Sequence, residues 1–260
     1  MLHPTEGAYN NLFYLFGVHN TMEYTLIGDN LQFVTLEIQP GEMAFAEAGA
    51  LVYMSGNVNM DAKLQGGLLG GLKRTLAGES FMTTHFTTTG GPGLVSFGGN
   101  CPGKVVALDI TQKEFIAQKD AFLCAEEGVK LDIAFQKRLG ATFFGGEGFI
   151  LQHLSGEGMV FLHAAGDLVE IDLTPGQVYK VSTAHVVGWE PSVTYDIQAV
   201  GGIKTALFGG EGLFMTTLTG PGKVIIQSMT LAQLANAVMP FFPTQSSGGN
   251  NSGSGFQIKF

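Results

Sequence analysis

Three segments of the chain repeat one pattern, and any fold must accommodate the repetition. They read AGESFMTTHFTTTGGPG over residues 77–93, GGEGFILQHLSGEG over 145–158 and GGEGLFMTTLTGPG over 209–222. In each, a Gly-Glu pair (Gly78-Glu79, Gly146-Glu147, Gly210-Glu211) opens an apolar run. A Gly-x-Gly turn (Gly91-Pro92-Gly93, Gly156-Glu157-Gly158, Gly220-Pro221-Gly222) then leads into a second apolar run over 94–97, 159–162 and 223–226. Short apolar runs with β-branched residues and no preceding helix cap predict strands, and the glycine clusters between them predict hairpin turns. A phosphate-cradling loop is excluded, because the side chain on offer is a glutamate and a strand follows where a helix N-terminus is needed.

A second anchor recurs in step with the first. LEIQPGE begins at Leu36, LDITQKE at Leu108 and IDLTPGQ at Ile171, each an apolar–acidic–apolar strand entering a turn. From this anchor to the Gly-Glu pair the chain covers 42 residues (36 to 78), 38 (108 to 146) and 39 (171 to 210). Such regularity predicts an all-β protein of three tandem β-rich repeats, each of roughly 65 residues. The expected boundaries are 22–100, 101–165 and 166–229, with an N-terminal extension over 1–21. Beyond them Thr230 is an N-cap for a short helix over 231–239 that Pro240 stops, and the chain ends in a Gly/Ser-rich tail tipped by GFQIKF.

Composition narrows the class of function. With 45% hydrophobic and 13% charged residues the chain builds a large core, and no apolar run is long enough for a membrane-spanning helix. The net charge is −9, and neither Lys nor Arg occurs before Lys63, whereas Glu6, Glu23, Asp29, Glu37, Glu42, Glu47 and Asp61 all do. This balance argues against a nucleic-acid groove, a secretory signal and a mitochondrial presequence, so a cytoplasmic location is expected. Cys101 and Cys124 lack a C-x-x-C context and are expected to be reduced, structural thiols.

The run MEYTLIGDNLQFVTLEIQPGEMAFAEAGALVYMSG at 22–56, with GGLKRTLAGESFMTTHFT at 71–88 and GGEGLFMTTLTGPGKVIIQSM at 209–229, resembles the altered inheritance of mitochondria protein 24 family. The likeness extends from Met22 to about Pro243. It implies an architecture like that of the tryptophan RNA-binding attenuation protein, with small β-sandwich units duplicated in one chain and assembled as a symmetric homo-oligomer, a trimer. The family implies no assigned activity, and fold alone carries none.

Candidate chemistry lies at positions matched among the repeats. Glu79, Glu147 and Glu211 are equivalent; three carboxylates at one level would suit a hard divalent cation, whereas singly each would fix its own turn by accepting backbone N–H bonds. The structural role is the expected one. His85 and His153 share a further position that Thr217 fills in the third copy, which leaves a transition-metal set incomplete. His163, His185 and Trp189 are expected to be packing residues. The segment over 64–79 departs from its counterparts, and Leu68, Leu69, Lys73 and Arg74 in it form a candidate interaction loop for a protein or membrane surface, with close packing on the body the plainer reading.

No catalytic motif is present: there is no G-x-S-x-G, H-E-x-x-H, Walker loop or dinucleotide fingerprint. The expectation is a non-enzymatic, cofactor-free scaffold or binding module. A small-ligand or metal-ion carrier and an enzyme with its site at a repeat junction are the alternatives.

Overall fold

The computed structural model describes residues 21–64, 82–137, 149–199 and 214–242. An opening strand β1 (Glu23–Ile27) precedes β2 (Phe33–Ile38), β3 (Met43–Glu47), β4 (Leu51–Met54), β5 (Val58–Leu64), β6 (Met82–Thr88) and β7 (Gly93–Gly98). A second set of six follows: β8 (Gly103–Asp109), β9 (Phe115–Gln118), β10 (Phe122–Glu126), β11 (Val129–Lys137), β12 (Phe149–Gly156) and β13 (Met159–Ala165). The third set is β14 (Leu168–Leu173), β15 (Val178–Ser182), β16 (Val186–Trp189), β17 (Thr194–Ala199), β18 (Phe214–Thr219) and β19 (Gly222–Gln227). Among the described residues the protein is all-β apart from short 3-10 turns and one helix, α1 (Leu231–Val238), which starts where the sequence places it. Thr230 Oγ1 accepts from the Gln233 N–H, and the Gln233 side chain accepts from the Thr230 N–H, a complete capping box.

Each set pairs its strands in the same antiparallel scheme. Its sixth strand lies between its first and third, as in β2-β7-β4, β8-β13-β10 and β14-β19-β16. Its fifth lies between its second and fourth, as in β3-β6-β5, β9-β12-β11 and β15-β18-β17. Two further pairings, β3 with β10 and β9 with β16, join one set to the next. Among the described residues four sheets result, ordered β1-β2-β7-β4, β5-β6-β3-β10-β13-β8, β11-β12-β9-β16-β19-β14 and β15-β18-β17.

The hairpins expected at the glycine turns are not what forms. The strands on either side, β6 and β7, β12 and β13, β18 and β19, belong to different sheets, so each turn is an arch between two layers. The apolar pattern explains the choice. β13, MVFLHAA, is buried along its whole length, so both of its faces need cover, which a two-stranded hairpin cannot supply. The chain leaves the sheet through left-handed backbone at Gly156 (φ +101°) and Gly158 (φ +115°), conformations that favour glycine.

A core fills each interval between successive sheets. The first holds Leu36, Phe86, Phe97, Cys124 and Phe161; the second Phe45, Phe122, Ala125, Val160 and Leu162; the third Phe149, Leu151, Trp189, Leu218 and Val224. Neighbouring residues of one strand, Cys124 and Ala125 or Phe161 and Val160, serve opposite cores, as the two-residue period of a strand requires. The two middle sheets are therefore covered on both faces at their central strands, while β5 and β14 at their edges are largely exposed. The outer sheets are not covered in this way: β1 is exposed throughout, and β4 and β15 largely so. Where Phe161 and its partner Ala107 meet a core, the matched positions of the first sheet carry Ser96 and Thr35. Their hydroxyl oxygens lie 2.7 Å apart, and the Tyr53 hydroxyl lies 3.1 Å from that of Thr35.

Candidate functional site

The strand register aligns a row across the second, fifth and fourth strands of each set that is polar on the fifth and fourth. In the first set Phe45 faces His85 and His85 faces Asp61. In the second Ile116 faces His153 and His153 faces Asp132. In the third Lys180 faces Thr217 and Thr217 faces Asp196. Cross-strand neighbours share a face, so each imidazole stands beside a carboxylate position on its sheet. His85 stacks on Phe45 at 5.8 Å between ring centres, and its Nδ1 lies 3.1 Å from Met43 Sδ while its Nε2 lies 3.2 Å from Thr83 Oγ1. His153 Nε2 lies 3.1 Å from the Glu114 carboxylate.

The row places His85, His153 and Thr217 at one matched position, as the sequence suggested, and adds Asp61, Asp132 and Asp196. The aspartates escape a sequence reading because their link to the histidines is cross-strand pairing, which spacing does not reveal. The first and second rows each supply one imidazole and one carboxylate, whereas the third supplies Lys180, Thr217 and Asp196 and no imidazole, and among the described residues no group of three or more His, Cys, Asp or Glu side chains is placed to ligate a metal. Glu79, Glu147 and Glu211, the candidate metal ligands, fall outside the described residues, as do Leu68, Leu69, Lys73 and Arg74 of the candidate interaction loop.

A second recurring arrangement holds the glycine arches. At the end of the third strand of each set stands Ser55, Glu126 or Glu190, and each takes the backbone N–H at the start of the sixth strand. Ser55 Oγ accepts from Leu94 at 2.9 Å, Glu190 Oε2 from Lys223 at 2.9 Å, and Glu126 from Met159. These residues take backbone N–H groups at the turns that close the arches, whereas the Gly-Glu glutamates, for which a similar role at their own turns was expected, lie outside the described residues. A faint signal exists, since Glu126 and Glu190 each precede the last glycine of their arch by 32 residues (126 to 158, 190 to 222).

Glu126 carries the largest electrostatic load of the three. It also accepts from the Met22 N–H at 2.7 Å, anchoring the chain ahead of β1 to the second set. Burial, with smaller contributions from Glu42 and Asp109, pushes its carboxyl up from the ordinary 4.5 to about 7, against the two backbone N–H bonds that favour the anion. A raised folded-state value means that the folded chain binds more protons than the unfolded chain between those two values. This contribution to stability is therefore present at the acid end and is lost as pH rises through about 7. His163, held down by burial, acts in the opposite sense and costs stability as pH falls. The difference between the unfolding profiles of wild type and Glu126→Gln, measured by urea titration from pH 4.5 to 8, should isolate the glutamate: the variant gains relative to wild type as pH rises.

His163, His185 and Trp189 sit as packing residues do. His163 and Trp189 are buried, and His185 Nδ1 lies 2.8 Å from the Gln227 carbonyl oxygen. Cys124 is fully buried, which raises its thiol well above the usual range, and neither cysteine is in a disulfide. No helix among the described residues is long and apolar enough to cross a membrane.

Comparison with known proteins agrees with this description. The family model described as Mitochondrial biogenesis AIM24 matches residues 24–229. An uncharacterised protein of Streptococcus pyogenes serotype M6 is 30% identical over 239 residues, covering 88% of this chain and 94% of its own. The crystal structure of a further Streptococcus pyogenes protein, solved in a structural genomics programme, superposes with a TM-score of 0.71 at 26% identity, covering 85% of this chain and all of that one.

Proposed function

The chain belongs to the Mitochondrial biogenesis AIM24 family, and from that premise we propose that it is a non-enzymatic scaffold or binding module: three tandem β-sandwich-like units in one chain, assembled as a homotrimer in the cytoplasm. The observation that carries this reading is the use made of the matched polar positions. Ser55, Glu126 and Glu190 each take a backbone N–H of an arch, so the third-strand ends serve geometry. The threefold recurrence of the pairing scheme supports the tandem-unit organisation. Near-equal units suit a binding surface presented several times better than one asymmetric centre of chemistry.

Native mass spectrometry of the protein as purified, with neither metal nor chelator added, tests the proposal. The expected result is a species of three 27.5 kDa chains at the bare polypeptide mass. Extra mass of one ion or one small molecule per chain would replace the scaffold by a carrier. Turnover on a metabolite panel that survives in wild type and is lost in His153→Ala would replace it by an enzyme.

A further inference from the structure

Two edge strands lack the neighbours that their counterparts have. The first and fourth strands of the second and third sets border their sheets, but the third strand is interior as β10 and β16, and the second is interior as β3 and β9. Of the second and third strands of the three sets, β4, the third strand of the first set, and β15, the second strand of the third set, alone stand at an edge among the described residues. Among the described residues, no sheet contains strands of both the first and third sets, so the two edges are not joined within the chain.

Exposure follows from this missing partner. The bulge between the first and second paired residues recurs in β4, β10 and β16, which aligns Val52 with Leu123 and Val187, and Tyr53 with Cys124 and Gly188. Val52 is 54% exposed, whereas Leu123 is 2% and Val187 0% exposed. Leu94 on the adjacent β7 is 42% exposed, and its counterpart Met159 only 7%. On β15, Val178 and Tyr179 are exposed, while Ala44 and Phe115, which match Tyr179, are buried. Apolar side chains persist at positions that are core elsewhere in the molecule, on an edge with neither proline nor charge to guard it along β4.

We propose that β4 of one copy pairs antiparallel with β15 of a second copy, continuing the fourth sheet of one protomer into the first sheet of the next. The occupant is a second copy of this chain because the chain itself holds the template twice. β10 pairs with β3 through Cys124 opposite Ala46 and Ala125 opposite Phe45, and β16 pairs with β9 through Gly188 opposite Ala117 and Trp189 opposite Ile116. The same register between copies sets Tyr53 opposite Val181 and Met54 opposite Lys180. The composite sheet, β17-β18-β15-β4-β7-β2 with β1 outermost, repeats the order of the two middle sheets. The contact is head-to-tail, so it closes into a ring when the rotation between copies permits. The inference rests on the homo-oligomer proposed above and names its interface.

Cysteine cross-linking tests it. In a Cys101→Ser chain, Met54→Cys and Lys180→Cys are made singly, co-expressed and oxidised; paired residues of an antiparallel ladder are close enough for a disulfide. A disulfide-linked dimer is expected from the mixture and not from either variant alone. A dimer from Met54→Cys alone would overturn the proposal in favour of a two-fold β4–β4 contact, and a disulfide formed within one chain carrying both cysteines would overturn it in favour of intramolecular closure. Wild type that is oligomeric by native mass spectrometry but gives no mixed cross-link would overturn the interface and leave the oligomer standing; monomeric wild type would overturn both. Val52→Lys provides the independent check: the far-ultraviolet circular dichroism should be unchanged while the oligomer mass falls to that of one chain, and an intact oligomer would count against β4 as the contact.

Discussion

Replacement of Trp189 by alanine should lower the unfolding free energy by about 4 kcal/mol, whereas replacement by phenylalanine should cost no more than about half of that. Trp189 is fully buried at the end of β16, in the third core with Val186, Leu218 and Val224, and its ring centre lies 4.8 Å from that of Tyr195. Truncation leaves a cavity between two sheets whose backbones are held by hydrogen bonds and cannot close over it. Phenylalanine keeps most of the packing. It also removes a buried indole N–H that has no acceptor among the described residues, and an unsatisfied buried donor carries its own penalty. Urea unfolding followed by circular dichroism separates the two variants, because Trp189 is the sole tryptophan and its fluorescence disappears with it. Equal losses in both would mean that the indole N–H is satisfied by a hydrogen bond that neither variant can make, and that this bond, not the volume of the ring, sets the cost.

The second large effect is expected at the joint between the second and third sets. Gly188 lies on β16 opposite Ala117 of β9, and a Cβ there would stand 2.5 Å from the Ile116 carbonyl oxygen and 2.4 Å from Phe115 Cε1. One neighbour is backbone in a paired strand, so the clash cannot be relieved by a rotamer change. Gly188→Ala should therefore cost about 3 kcal/mol. Because the joint is a sheet pairing between sets, the variant should also loosen the third set before the rest. Trp189 fluorescence should then report a lower urea midpoint than circular dichroism, where wild type gives coincident transitions. The counterpart of Gly188 in β10 is Cys124, which carries a Cβ at the matched position, so the restriction belongs to this joint and not to the bulge position in general.

The position-by-position register shows how much of the site was readable beforehand. His85, His153 and Thr217 could be matched from their distance to the glycine that precedes each strand, because strand length and turn position are local properties. The acidic partners Asp61, Asp132 and Asp196 could not be matched that way. They lie across a connection, 65–81 in the first set, whose length differs between sets and whose residues lie outside those described. Likewise Glu126 and Glu190 reach an N–H more than thirty residues ahead, at Met159 and Lys223, and nothing local marks them as turn residues.

The sequence by itself determined the strands, their glycine turns, the capped helix at Thr230 and the all-β class, since each rests on alternation, φ preference or capping within a few residues. Tertiary structure decided the partners. β6 and β7 are joined by a glycine turn of the kind that makes a hairpin, yet they lie in different sheets. β3 and β10 sit far apart in the chain, yet they pair. The reason is that a strand such as β13, apolar on both faces, is satisfied only between two layers, and its hydrogen-bonding edges take whichever strand the closed core brings alongside.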